Sequence, residues 1–178
     1  MTSERHRSLA LAAMPLLFVL LWSTGFIGAK FGLPFAEPFT FLGIRFVLTL
    51  VVLVPLVMLL GMAWPRGPRL WGHIAVSGCL VHGAYLGGVF YAIALGMPAG
   101  LASLLVGLQP LVTAGLAGPL LGERLTRWQW IGLVLGLVGV GLVLGGKLDP
   151  GALAFNGFGW PALGAVLVAL VGISVGTL

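Results

Sequence analysis

A few polar side chains interrupt an otherwise apolar chain, and their types limit the chemistry they can do. Arg45 stands in the apolar run 39–61, His82 in 71–95 and Gln109 in 99–121. A fixed cation at such depth can hold an anionic group such as a carboxylate. It can equally reach back to the lipid headgroups. A helical side chain leans toward its helix N-terminus, and Arg45 lies about 10 Å from the start of its run at 1.5 Å per residue. His82 has Cys79 and Tyr85 three residues away on either side, so a continuous α-helix would put all three on one face. That stripe either lines a polar pathway or is a neutral histidine satisfied by a neighbouring helix. Trp22, in the run 9–28, offers an indole that stacks on a solute or packs in the core. Gln109 precedes Pro110, whose missing N–H leaves the Val106 carbonyl without its helical donor. An amide beside a freed carbonyl suits the wall of a cavity. The candidate binding residues are therefore Trp22, Arg45, His82, Tyr85 and Gln109.

Other chemistries find no support in the residue types. All four acidic residues, Glu4, Glu37, Glu123 and Asp149, fall in loops or at the ends of runs, so proton coupling would have to use His82. Three histidines and one cysteine are not spaced as a metal-ligand set, and no phosphate-binding glycine motif follows a strand. Ser77 lacks the glycine two residues before it that an intramembrane serine protease would need. Neither a cofactor nor an enzymatic activity is expected. The lone Cys79 excludes an internal disulfide. A net charge of +5 spread over short loops, without a basic patch interleaved with aromatics, gives no reason to expect nucleic acid.

The elements that must position these groups follow from hydropathy. With 60% apolar and 7% charged residues and a mean hydropathy of +1.15, the chain reads as an all-α integral membrane protein, its first partner the lipid bilayer. A spanning helix needs about 20 residues. Five complete runs meet this, 9–28, 39–61, 71–95, 99–121 and 127–146, and a sixth, 157–178, lies at the C-terminal end. Uninterrupted runs argue against a β-barrel, whose strands would alternate. Short connections make consecutive helices antiparallel neighbours in a polytopic bundle. The first run lacks a small-residue cleavage site and is expected to stay as a span. Placing the N-terminus in the cytoplasm puts Arg5, Arg7, Arg66, Arg69, Arg124 and Arg127 inside and only Lys30 and Lys147 outside. That asymmetry, with Trp64, Trp71, Trp128 and Trp130 at the same face, favours the orientation. Residues 1–8 are then a cytoplasmic segment and 147–156 a periplasmic loop.

Punctuation is legible as well. Residues 121–130 read as a hairpin turn at the membrane surface. Gly122 ends one helix in the left-handed conformation, and Thr126 with Gln129 makes a capping box that starts the next. Pro55, Pro110 and Pro119 are each expected to kink a span. Small-residue pairs at Gly83–Gly87, Gly132–Gly136, Gly141–Gly145 and Gly172–Gly176 indicate close helix packing. The last run has no charge or polar tail to stop it, so the chain is expected to be cut short or one piece of something longer.

Several stretches resemble the EamA-domain family of the drug/metabolite transporter superfamily. They are Trp22-Ser23-Thr24-Gly25-Phe26 with Lys30, Glu37-Pro38-Phe39-Thr40-Phe41 leading to Arg45-Phe46, and Leu108-Gln109-Pro110-Leu111. Most specific is Gly122-Glu123-Arg124-Leu125-Thr126 followed by Gln129-Trp130-Ile131-Gly132. The resemblance implies an inner-membrane carrier of two inverted five-helix repeats that exports small metabolites, amino-acid-like compounds or drugs by alternating access. It makes residues 9–146 the first repeat and 157–178 the first helix of a second. The same resemblance points to Trp22, His82, Tyr85 and Gln109, with Arg45 nearby, as the lining of a small-molecule cavity. The alternatives are a transport-inactive half-carrier, a membrane-embedded interaction module, or two copies assembled as a homo-oligomer in place of a missing C-terminal half.

Overall fold

Backbone in lipid must satisfy its own N–H and C=O groups, which helices do within each segment. The computed structural model of the chain describes residues 2–122, 125–145 and 158–178. Among them the elements are helical and none is a strand. Helix α1 is Thr2–Gly32, α2 is Pro38–Leu59 and α3 is Pro68–Gly78. A π-helical segment, Cys79–Tyr85, joins α3 directly to α4, Leu86–Ala94. Then follow α5, Ala99–Val106, α6, Gln109–Leu121, α7, Arg127–Gly145, and α8, Gly159–Gly176.

Among the described residues five stretches are long and apolar enough to cross a bilayer: Ala13–Gly32, Pro38–Leu59, Pro68–Ala94, Ala99–Leu116 and Gly159–Gly176. They match the first four predicted spans and the sixth. The fifth is helical too, but its apolar part, Arg127–Val143, is shorter.

Helix ends carry the chemistry that stops them. Gly61 and Gly96 take positive φ at the ends of α2 and α4, each with a six-residue closure, Met62 N–H to Val57 O at 3.1 Å and Met97 N–H to Ala92 O at 3.0 Å. Gly122 has φ +71° as its position requires. The capping box forms: Thr126 N–H donates to Gln129 Oε1 at 2.7 Å, and Gln129 N–H donates to Thr126 Oγ1 at 3.4 Å. Glu123 and Arg124 between them lie outside the described residues.

Two spans differ from expectation. The fourth is not one kinked helix. It breaks at Gly107–Leu108, where the last α-helical bond, Gly107 N–H to Ser103 O, gives way to the tighter Leu108 N–H to Leu105 O. Pro110 thus falls in the first turn of α6, where a missing N–H leaves no helical bond unmade. The third span changes winding at Cys79–Tyr85, and i→i+5 bonding removes the common face expected for Cys79, His82 and Tyr85.

The core sits around α8. Of its spanning window 39% is buried, against 6% for α2. Ala162, Val166, Ala169 and Ile173 of α8 pack with Tyr85, Val89, Phe90 and Ala92, and with Leu101, Leu105 and Val106 of α5. Small residues permit the approach. A Cβ added at Gly88 would lie 2.5 Å from Ala165 O, and one at Gly172 would lie 2.8 Å from Ala84 Cβ and 2.9 Å from Leu80 O. Ser77 Oγ donates to Gly176 O at 2.6 Å. Contacts descending from Gly88 to Ser77 ascend from Ala165 to Gly176, so α8 runs antiparallel to the third span. Of the small-residue pairs noted in the sequence, Gly172–Gly176 has both members at such a contact.

Gly172→Ile is expected to destabilise the bundle by about 2 kcal/mol, the scale of an overpacked core. Gly164→Ala, where an added Cβ meets nothing within 4 Å, is expected to be neutral. Thermal unfolding in detergent compares the two; equal behaviour would contradict the close α8 contact.

Candidate functional site

Helices α1 and α2 meet at their joining hairpin, where a Cβ at Gly32 would run into the Phe41 ring and Phe41 packs 5.7 Å from Phe90. Farther from the hairpin a cleft of about 370 Å³ lies between them, floored by the π segment and α4. From α1 it takes Phe18, Trp22 and Phe26, spaced four residues apart on one helix face. Arg45, Phe46 and Thr49 form the α2 wall, and His82 and Tyr85 rise from the π segment.

Four of the five candidate residues, Trp22, Arg45, His82 and Tyr85, thus line one cleft. Trp22 stacks on Tyr85 with ring centroids 5.9 Å apart and planes 12° from parallel. Phe18 leans on the other members of the stripe, 5.3 Å from Trp22. His82 meets the edge of Phe46 at 5.5 Å. Tyr85 is buried, whereas Trp22 keeps 40% of its surface exposed, so the indole has area left for a further ring. Cys79 is exposed and does not line the cleft, consistent with the altered winding.

Electrostatics are simple here. Arg45 lines the same cleft as Tyr85, and among the described residues it has no carboxylate partner. A cation facing an apolar cleft without a counter-ion favours an anionic guest. Arg45 also borders a groove along α2 with Phe41, Ile44 and Leu48. That groove is built from a single helix and lacks an opposite wall, so it encloses nothing.

Gln109 belongs to a neighbouring cleft of about 590 Å³ between α1, α5 and the start of α6. Its Nε2 donates to Thr177 Oγ1 at 3.2 Å, while Thr177 Oγ1 donates to Ile173 O at 2.8 Å. The mid-span amide therefore finds a partner on α8. Sequence reading missed Phe18 and Phe46, although the four-residue aromatic spacing on α1 and the placing of Phe46 beside Arg45 were visible signals. The Gln109–Thr177 pair left no sequence signal, since 68 residues separate its members.

Fold and cleft define a multi-pass helical membrane protein with a cationic, aromatic-walled cavity. Residues 9–145 match the model of the EamA-like transporter family, and the chain belongs to that family. It is similar to a protein of Salmonella typhimurium LT2 named "Probable amino-acid metabolite efflux pump", 33% identical over 147 residues, covering 82% of this chain and 46% of the relative. An Escherichia coli K12 protein of the same name is 34% identical over 147 residues with the same coverage. The chain thus spans about half the length of these relatives. No solved structure matches it.

Burial sets the expected cost of opening the stack. Tyr85→Ala should destabilise by about 3 kcal/mol, as truncation of a buried aromatic does, and Trp22→Ala by less. Tyr85→Phe, which keeps the ring, should unfold close to the parent protein. Thermal midpoints in detergent rank the three, and a Trp22→Ala loss exceeding that of Tyr85→Ala would contradict the arrangement.

Proposed function

We propose that this chain forms the solute path of an inner-membrane exporter, with Trp22, Arg45, His82 and Tyr85 binding a small anionic or zwitterionic, amino-acid-like solute. The observation that carries the reading is Arg45, a cation without a described counter-ion, facing an aromatic-walled cleft. The names of the relatives, amino-acid metabolite efflux pumps, support the same solute class. Arg45 takes the carboxylate, and Trp22 with Phe46 receives the apolar body. Gln109 borders the path from the neighbouring cleft.

The orientation proposed is N-terminus inside, with α7 also crossing so that α8 enters from the outer face. It rests on the arginine asymmetry of the loops. The α1–α2 hairpin then closes the cleft on the outer side, and the solute enters from the cytoplasm. Alternating access opens the hairpin end. Because the chain spans about half the length of its relatives, further helices, from a second half or a second copy, supply the opposite wall. Residues 9–146 act as one five-helix repeat in this reading, and 157–178 open the next.

Arg45→Ala should lower efflux of a zwitterionic amino acid from loaded proteoliposomes at least about tenfold, the value of a charge-assisted hydrogen bond, while membrane insertion persists. Gly25→Leu should also block efflux. An added Cβ there meets nothing within 4 Å, so the side chain fills the cleft without disturbing the bundle. Flux unchanged in both variants would remove the cleft from the path. For orientation, a cysteine at Arg66 in a Cys79→Ser background should react with an impermeant thiol reagent from the cytoplasmic side alone; reaction from outside would invert the topology.

A further inference from the structure

The second cleft has a different chemistry from the first, and the two share a wall. Phe18, Trp22 and Phe26 border both. On one side of this stripe stand Arg45 and His82; on the other stand Ser23, Ser103 and Gln109, with no charged residue in the lining.

Ser23 Oγ has no hydrogen-bond partner among the described residues, so it is open to a guest as donor and acceptor. Ser103 Oγ donates its proton to Gly100 O at 2.9 Å, which leaves its oxygen as an acceptor. The Thr177 hydroxyl spends its proton on Ile173 O, so it can only accept from Gln109. Gln109 must therefore present its NH₂ to Thr177, leaving Oε1 as acceptor and one N–H unspent. The break at Gly107–Leu108 makes Val106 the last residue of α5, and its carbonyl takes no backbone N–H among the described residues. At the opposite end the first turn of α5 has no side-chain cap, which leaves backbone N–H donors at Ala99 and Gly100. Neutral donors and acceptors thus surround a space large enough for an organic group.

An ion transferred here would lose its hydration without meeting an opposite charge, at a cost of several kcal/mol. An uncharged group that both donates and accepts would keep its hydrogen bonds. We propose that the Ser23–Ser103–Gln109 cleft is a second solute subsite, selecting an uncharged hydrogen-bonding group, an amide being the type, on a solute whose carboxylate is held by Arg45. The solute lies across the exposed part of Trp22, which is why the indole borders both spaces. This rests on the reading of the first cleft as a solute site.

Binding to the purified full chain tests it, using linear carboxylates of matched length that end in a methyl, a carbamoyl or an ammonium group, from four to ten carbons. Expected is one length at which the ω-carbamoyl carboxylate binds about tenfold tighter than both the methyl-ended and the ammonium-ended one. Ser23→Ala with Ser103→Ala should erase that preference while leaving affinity for the methyl-ended acid unchanged. Gly100→Val, which fills the cleft because an added Cβ there meets nothing within 4 Å, should remove the gain from the carbamoyl group and weaken both acids of that length. Methyl-ended acids that bind in an Arg45-dependent way with no gain from the carbamoyl group at any length would overturn this subsite alone. A gain that survives the variants, or is matched by the ammonium, would overturn it too. Binding that ignores Arg45→Ala, or no binding of any acid, would overturn the first-cleft reading and this one with it.

Discussion

The close seat of α8 against the third span is the contact on which the remaining arrangement depends. In lipid no hydrophobic force drives helix to helix, so association needs backbone approach and dispersion. Gly88, Gly172 and Gly176 supply the room, and Ser77 adds a hydrogen bond to the Gly176 carbonyl. With α8 in place, the π segment and α4 are held on one side and α5 with the start of α6 on the other. Helices α1 and α2 then lean on this centre and leave the cleft between them. The helix that the family resemblance assigns to a second repeat thus has the largest buried share of the spanning stretches among the described residues.

Spans and caps were legible because they depend on local chemistry. Hydropathy alone places the runs, and Thr126 with Gln129 states its capping box within four residues. The change of winding at Cys79–Tyr85 was not legible, since Gly83 weakens any helix and nothing in Cys-Leu-Val-His-Gly-Ala-Tyr selects i→i+5 bonding over i→i+4. It accompanies the tight contact of Leu80 and Ala84 with Gly172, a long-range fact. The break at Gly107 was half legible. Pro110 signalled an interruption, but whether a proline kinks a helix or begins one depends on what precedes it. Among the candidate residues, Arg45, His82, Tyr85 and Gln109 stand out as polar or amphipathic groups that need partners in lipid, and the family resemblance adds Trp22. That need sorts residues by depth but does not say which share a cavity, so Gln109 was grouped with the others although it borders the adjacent one.

A charge kept inside a bilayer is destabilising, so its persistence is informative. Among the described residues the cleft around Arg45 is lined by rings, aliphatic groups and Thr49, not by carboxylates. The walls differ in rigidity too. Tyr85 is locked in the core, while Trp22, Phe46 and His82 stand on surfaces that can adjust. A fixed phenol thus stands behind a partly exposed indole.

The π segment also sets the angular relation between the two halves of the third span. Winding by i→i+5 bonds accommodates an extra residue within a helix that otherwise turns about 100° per residue, at 3.6 residues per turn. Upstream, α3 presents Ser77 to the end of α8; downstream, α4 presents Gly88 to its middle. The inserted residue lets both meet the same partner along one line while His82 and Tyr85 swing out to the cleft. The segment is therefore a phase correction, in which a local change of pitch turns one continuous helix into two independently aimed faces.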